Sequence, residues 1–232
     1  MKVALLLSGH ARTYKDTAAS IIENIIKPFE ADVFIHTWDL TETAGEIWRE
    51  EKSPIEKTDI DFIKAKFKPI RYIVSDHPIT ESKTYEDGIN KLSTHRMLQS
   101  TFYATSLMDD YCRETGVEYD VVIRCRFDLI INTKFKLVDD VKDNIIYTAY
   151  NANNTGYQAM LNLYYGTAES MNVLASIIYY PEYMGNHFDK PDGGWLKYIN
   201  DSEMQTEKID FLYNKDWAML RALNNGTLGF KS

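Results

Sequence analysis

Cysteine is nearly absent, with Cys112 and Cys125 the only two in 232 residues. Two thiols make no disulfide framework and do not fall into a zinc-ligand spacing, so neither a stapled fold nor a zinc module is expected. No apolar run approaches the ~20 residues that a membrane-crossing helix needs, and the run at residues 3–7 is shorter than the core of a secretion signal. A cytoplasmic, reducing setting is the expectation. The chain also lacks a Gly-Lys-Ser/Thr phosphate loop and the repeated glycines of a dinucleotide fingerprint, which disfavours P-loop and dehydrogenase chemistry. Positive charge is in deficit: 26 Lys and Arg face 34 Asp and Glu, leaving a formal charge of −8. Non-specific nucleic-acid binding requires the opposite balance, so no nucleic-acid partner is expected. An anionic ligand must instead be met by a few placed cations or a metal ion, against the overall field.

What is present is an ordinary globular composition, 44% hydrophobic and 26% charged, long enough to bury roughly 70% of the extended chain's surface. Residues 2–8 form a short apolar run ending at Gly9, as a strand buried on both faces would. Residues 16–26 space Ile21, Ile22, Ile25 and Ile26 as a helix does, with Pro28 expected to stop it. Strands are predicted over 31–38, 70–75 and 119–131, and helices over 59–68 and 93–115, the latter capped by Ser93 and ended by Gly116. The charged stretch 41–54 reads as a loop or short helix. Further on, strands are expected over 144–150, 158–165 and 209–213 and a helix over 168–180. Alternating strands and helices imply crossover units, hence an α/β fold: one domain with a largely parallel central sheet, helices on both faces and a less regular C-terminal half.

In such sheets ligands sit beyond the carboxyl ends of the strands. Four polar stretches directly follow apolar strands: Ser8-Gly-His-Ala-Arg12, His36-Thr-Trp-Asp39, Ser75-Asp-His77 and Arg124-Cys-Arg-Phe-Asp128. In a continuous strand, residues two apart share a face, so Arg124, Arg126 and Asp128 are expected together, opposite Cys125, Phe127 and Leu129. Burying such charges is costly unless they pair or bind something. They read either as an internal ion pair fixing the strand or as a pocket for a phosphorylated ligand, in which Arg grips phosphate through its planar fork and a carboxylate holds a bridging cation. Gly9 lets the backbone approach a ligand closely. His95 and Arg96, in the first turn of the long helix, are candidates for the pocket mouth. Sixteen tyrosines and four tryptophans suit sugar-compatible walls, because such rings join an apolar face to a polar edge.

The segments Val3-Ala-Leu-Leu-Leu-Ser-Gly-His-Ala-Arg12, Asp32-Val-Phe-Ile-His-Thr-Trp-Asp39 and Tyr119-Asp-Val-Val-Ile-Arg-Cys-Arg-Phe-Asp128 resemble, in order and spacing, small glycosyltransferases of bacterial surface-polysaccharide clusters and large viruses. The resemblance covers about the first 130 residues and continues more faintly through 158–171. It implies a GT-A fold and transfer of a sugar from a nucleoside-diphosphate-sugar donor to a hydroxyl of a glycan or other acceptor, usually with Mn²⁺ or Mg²⁺. Residues 1–131 would form the nucleotide-sugar half and 132–232 the acceptor side. By the resemblance Ser8, Gly9 and Arg12 would contact the nucleotide; from their own positions at strand and helix ends, His36, His95, Arg96, Arg124 and Arg126 are further candidates for the donor site. Arg126 and Asp128 take the place of an Asp-x-Asp metal motif, whose first carboxylate this chain lacks. By the resemblance Asp128 would hold the metal with His187; the alternative is that Arg124 and Arg126 neutralise the diphosphate alone. A base for the acceptor hydroxyl is expected in the second half, from Asp189, Asp192, Asp201 or, by choice, Glu203, read as part of a helix start; Asp192-Gly-Gly194 reads as a lid or a turn. Two other classes remain: a sugar-phosphate nucleotidylyltransferase, from whose glycine-rich opening Ser8-Gly-His-Ala-Arg12 departs, and a degenerate nucleotide-sugar-binding subunit, which the missing carboxylate would favour.

Overall fold

Along the first strand the side chains divide strictly by parity. Val3, Leu5 and Leu7 fall in one core cluster with Ile21, Ile25, Ile63 and Phe67, whereas Ala4 and Leu6 join Leu98, Met108, Met171, Leu174 and Trp195 in another. A strand apolar on both faces must be covered on both faces. The computed structural model, which describes residues 1–44, 50–77, 88–150, 162–180, 183, 193–212, 215–222 and 228–230, has that form. Its strands are β1 (Val3–Ser8), β2 (Asp32–Trp38), β3 (Leu40–Ala44), β4 (Glu50–Pro54), β5 (Arg71–Ser75), β6 (Val121–Cys125), β7 (Leu129–Ile131), β8 (Ile145–Tyr150), β9 (Leu163–Gly166), β10 (Gln205–Leu212), β11 (Trp217–Ala222) and β12 (Leu228–Phe230). The α-helices are α1 (Tyr14–Ile21), α2 (Lys27–Phe29), α3 (Lys57–Phe67), α4 (Gly88–Thr115), α5 (Ala168–Ala175) and α6 (Gly193–Asp201).

A seven-stranded sheet runs in the order β10-β8-β9-β6-β1-β2-β5. Only β9 opposes its neighbours β6 and β8; the remaining pairs are parallel. This is the expected α/β architecture. Helices α1 and α3 supply one apolar layer, and α4, α5 and α6 the other. No described helix is long and apolar enough to cross a membrane.

Several local expectations are corrected. Pro28 does not stop the first helix: α1 passes through a π-helical turn (Ile22–Ile26) into α2, which contains the proline and ends at Glu30 with φ 48°. Proline has no N–H to return to the carbonyl four residues back, and that carbonyl, on Asn24, instead accepts the Phe135 N–H at 2.9 Å. The stretch 41–54 is not a loop or helix but mostly an antiparallel ribbon, β3 with β4. Ser93 does not cap α4, which begins five residues earlier at Gly88. The expected strand over 119–131 is two strands in different sheets, because β7 pairs with β11 rather than continuing beside β1. Helix α6 occupies the place read as a lid or turn, and it ends where a helix start was expected, with Glu203 just beyond it at φ 58°.

Leu6 lies at the centre of the sheet and is fully buried. Leu6→Ala therefore costs about 2–5 kcal/mol, measured as a lowered urea midpoint with an unchanged slope.

Candidate functional site

Because β1, β2, β5 and β6 are parallel, the four polar stretches that follow them emerge at one edge of the sheet, as expected. Gly9 turns the chain out of β1 with φ 117°, a conformation open to glycine and strained for any L-residue. Space beside it is open, since a Cβ built there meets nothing within 4 Å. The turn returns Arg12 toward the residues that follow β6.

Arg124 is the innermost charge. It projects from β6 to the α4 side of the sheet, fully buried. Its Nε donates to Ser8 Oγ at 2.9 Å and its Nη2 to the Ser8 carbonyl at 3.3 Å. A third guanidinium nitrogen donates to the Asn162 carbonyl at 3.4 Å, and the group lies 5.7 Å from the Tyr164 ring centroid. Burial pulls its pKa down, while the Arg126 charge adds to this and Asp128 opposes it. Arg124 thus clamps the end of β1 to β6 and β9. Ser8, also fully buried, is the object of that clamp, with Thr101 of α4 3.4 Å from its hydroxyl.

Beyond Cys125 the chain leaves the sheet, and the next charges form a separate cluster. Arg126 Nε and Nη2 meet Asp128 Oδ1 and Oδ2 at 2.7 and 2.6 Å, a two-pronged pair of the strong, geometrically specific kind. Arg12 Nη1 lies 3.8 Å from the same Oδ2. The carboxylate is 1% exposed, while the Arg12 and Arg126 side chains are 15% and 20% exposed. Burial alone would raise the Asp128 carboxyl, but the Arg126 charge and its hydrogen bonds outweigh this and hold it below the ordinary carboxylate range. Cys125, Phe127 and Leu129 fall together in the opposite core cluster, as the alternation predicted. The internal Arg–Asp pair foreseen as one reading is therefore present. Arg124 stands outside it, and Arg12, not foreseen in it, is part of it.

A histidine-aromatic wall borders this edge. His36 is fully buried, with Nδ1 2.6 Å from Ser100 Oγ and Nε2 3.0 Å from Ser75 Oγ. Its ring meets Trp38 and Tyr103 at centroid distances of 4.8 and 4.9 Å. Burial lowers its pKa to about 3, so it is a neutral packing hub and not a cation for a donor phosphate. His10 and His77 approach one another at 5.1 Å beside Trp38, and the His77 N–H is fixed by Asp39 Oδ1 at 2.6 Å. On α4, His95 is half-buried and its pKa is lowered by desolvation and by Arg96, which is itself buried. The parts that sequence reasoning passed over are Thr101 and Tyr164 around the Arg124 clamp; strand alternation at 163–165 already places Tyr164 on the Arg124 face.

Glu203 is not brought to this edge. Strand β10 runs parallel to β8, and Gln205, its first residue, sits opposite Ile145, the first of β8. Glu203 precedes that amino end and is exposed, at the far side of the sheet from Asp128. Asp201, likewise exposed, pairs with Lys197 and accepts the Tyr183 hydroxyl at 2.8 Å. His187, Asp189 and Asp192 lie outside the described residues. A divalent cation fits the described residues poorly, because both Asp128 oxygens already face Arg126. Nor do the described residues assemble any group of three or more His, Cys, Asp or Glu able to hold a metal ion.

No family model matches this chain, and no curated protein does. Among solved structures it is similar to a glycosyltransferase involved in glycosylation of the major capsid of PBCV-1, at 12% identity and TM-score 0.46, over 90% of this chain and 83% of that one. It is also similar to the glycosyltransferase GlyE of Streptococcus pneumoniae TIGR4, at 11% identity and TM-score 0.42, over 90% of this chain but 46% of that one. The apo form of GlyE gives 12% identity and TM-score 0.40.

Neutral, buried His36 makes stability depend on pH. Its folded pKa lies below its unfolded value, so the unfolded chain binds the extra proton and its contribution, complete above about pH 6.5, is lost as pH falls. Between pH 6.5 and 4.5 the His36 contribution falls by about 1.4 kcal/mol per pH unit at full effect. His36→Gln is expected to flatten that part of the profile in urea titrations at stepped pH.

Proposed function

We propose that this chain is a glycosyltransferase that binds a nucleoside-diphosphate-sugar beyond the carboxyl ends of β1, β2, β5 and β6. The observation that carries this reading is the meeting of Arg12 and Arg126 around one buried carboxylate at the carboxyl edge of the sheet, with Arg124 one layer below, in a chain whose net charge is −8. Arg12, Arg126 and Asp128 together carry +1, opposite in sign to the net charge of the chain. The partly exposed Arg12 and Arg126 offer flat, multi-donor groups suited to phosphate oxygens, and Gly9 leaves room for a ligand at the turn. The order of the three N-terminal motifs supports the same assignment, through the resemblance.

In the reaction, the bond between the anomeric carbon and the diphosphate oxygen breaks, and its electron pair stays on the diphosphate. The acceptor oxygen bonds to the carbon and gives up its proton to water. Donors aimed at the departing diphosphate stabilise the charge that builds there, a contribution of several kcal/mol in comparable sites. Arg126 and Arg12 are proposed in that role. Ser8 and Arg124 act one layer deeper, setting the position of the β1 turn. Residues 132–232 are proposed as the acceptor side, with a glycan or other hydroxyl compound as acceptor.

A second reading, a binding subunit without turnover, is favoured by the place of Arg126 where the resemblance expects a metal carboxylate. Slow hydrolysis of a sugar nucleotide without acceptor separates the two, because a binding subunit releases no diphosphate.

Among UDP, GDP and dTDP, at least one is expected to raise the melting temperature. A ligand at a hundred times its Kd stabilises by about 2.7 kcal/mol, roughly 5–10 °C for a domain of this size. If none of the three moves the transition, the donor-site reading is wrong.

A further inference from the structure

We infer that Asp128 is a counter-ion for an arginine clamp rather than a metal ligand, and that the site takes the diphosphate of its donor without a divalent cation. This rests on the donor-site reading above and departs from the metal dependence that the resemblance implies.

The geometry leads to it in three steps. First, the two Asp128 oxygens are each within 2.7 Å of a different Arg126 nitrogen, and Arg12 approaches Oδ2 from another side at 3.8 Å. A cation on Asp128 would have to displace a guanidinium from a carboxylate that is 1% exposed. It would also stand beside two fixed positive charges. A Mg²⁺ or Mn²⁺ ion needs oxygen ligands and negative charge around it, and this cluster offers the reverse.

Second, the task such a cation performs on a diphosphate is to neutralise it and hold its oxygens. Two guanidiniums perform both, with donors in a planar fork matched to phosphate geometry. Third, Asp128 holds the two arginines together until a bound diphosphate supplies the shared anion in its place. Two arginines brought together without a shared anion would repel each other in a partly desolvated site. The buried carboxylate holds both while their outer parts stay exposed, so the clamp stands formed before the ligand arrives. Asp128 is thus a positioning residue that touches no ligand.

The two roles of Asp128 make opposite forecasts for its neutral variant. As a metal ligand, Asp128→Asn would lose diphosphate affinity together with its cation response. As a counter-ion, the same substitution removes a negative charge from an anion site, so affinity is retained or increased. The experiment is isothermal titration of the native chain, Asp128→Asn and Arg126→Gln with UDP, GDP, dTDP and inorganic pyrophosphate, in EDTA and again in Mn²⁺. Folding of each variant is checked by circular dichroism.

The native chain is expected to bind in EDTA with a Kd within about twofold of that in Mn²⁺, after correction for Mn²⁺ bound by the free ligand. Asp128→Asn is expected to bind in EDTA at least as tightly as the native chain. Arg126→Gln is expected to lose tenfold or more, with no recovery in Mn²⁺. Tightening of the native chain by tenfold or more in Mn²⁺, abolished in Asp128→Asn, overturns the inference and leaves the donor-site reading standing. Native-like affinity of Arg126→Gln in EDTA also overturns it. Failure of every ligand to bind the native chain under both conditions overturns both readings together.

Discussion

The interior of this fold is arranged around a buried guanidinium that ties three strand ends together. Arg124 spends its donors on Ser8 and on the Asn162 carbonyl and lies beside Tyr164. A buried cation is expensive to desolvate, and the lowered Arg124 pKa reflects that cost. The arrangement persists because several acceptors answer one rigid fork, and because the negative charge of Asp128 acts on it from the adjoining turn. The consequence for the fold is precise placement of three strand ends: β1 through Ser8, β6 through Arg124 itself, and β9 beside it.

From that anchor the outer cluster follows. Once Cys125 is fixed in the core, the next three residues must turn from β6 toward β7, which belongs to another sheet. Phe127 fills the core, and its carbonyl is held by the Thr17 hydroxyl of α1. Arg126 and Asp128 are left on the same side of the turn, and they meet. Leu220 N–H then donates to the Asp128 carbonyl at 2.8 Å, so β11 secures the turn from behind. The backbone around the carboxylate is thereby held by elements from both halves of the chain, and a rigid frame of this kind keeps ionic groups in a productive geometry.

Much of this was legible in the sequence, for identifiable reasons. Residues 2–8 could only be a strand buried on both faces, and the alternation around Cys125 correctly separated Phe127 and Leu129 from the charges. The carboxyl-edge rule gathered Gly9, Arg12, His36, Arg124, Arg126 and Asp128 before any coordinates. Periodicity could not show that the apolar run at 119–131 would break in two, because both pieces are equally apolar and only the partner strand, β11, differs. Nor could it show that Arg12 would reach Asp128 across more than a hundred residues of chain. His36 resembled a ligand group in sequence, yet two serine hydroxyls and two aromatic rings absorb it. Glu203 failed for a topological reason: the direction of β10 carries it to the opposite end of the sheet.

One departure from regular parallel winding shapes what can border the ionic cluster. Because β9 runs against β8, the chain leaves β8 at Tyr150 and re-enters the sheet at Leu163 along the same rim, and the pairing of Thr148 with Tyr164 closes that excursion like a zip. Tyr150 and Leu163 therefore lie at the same end of the sheet as Arg124 and the turn that follows β6. A strand laid against its neighbours thus brings two further chain ends to a rim that parallel winding alone would have supplied with one.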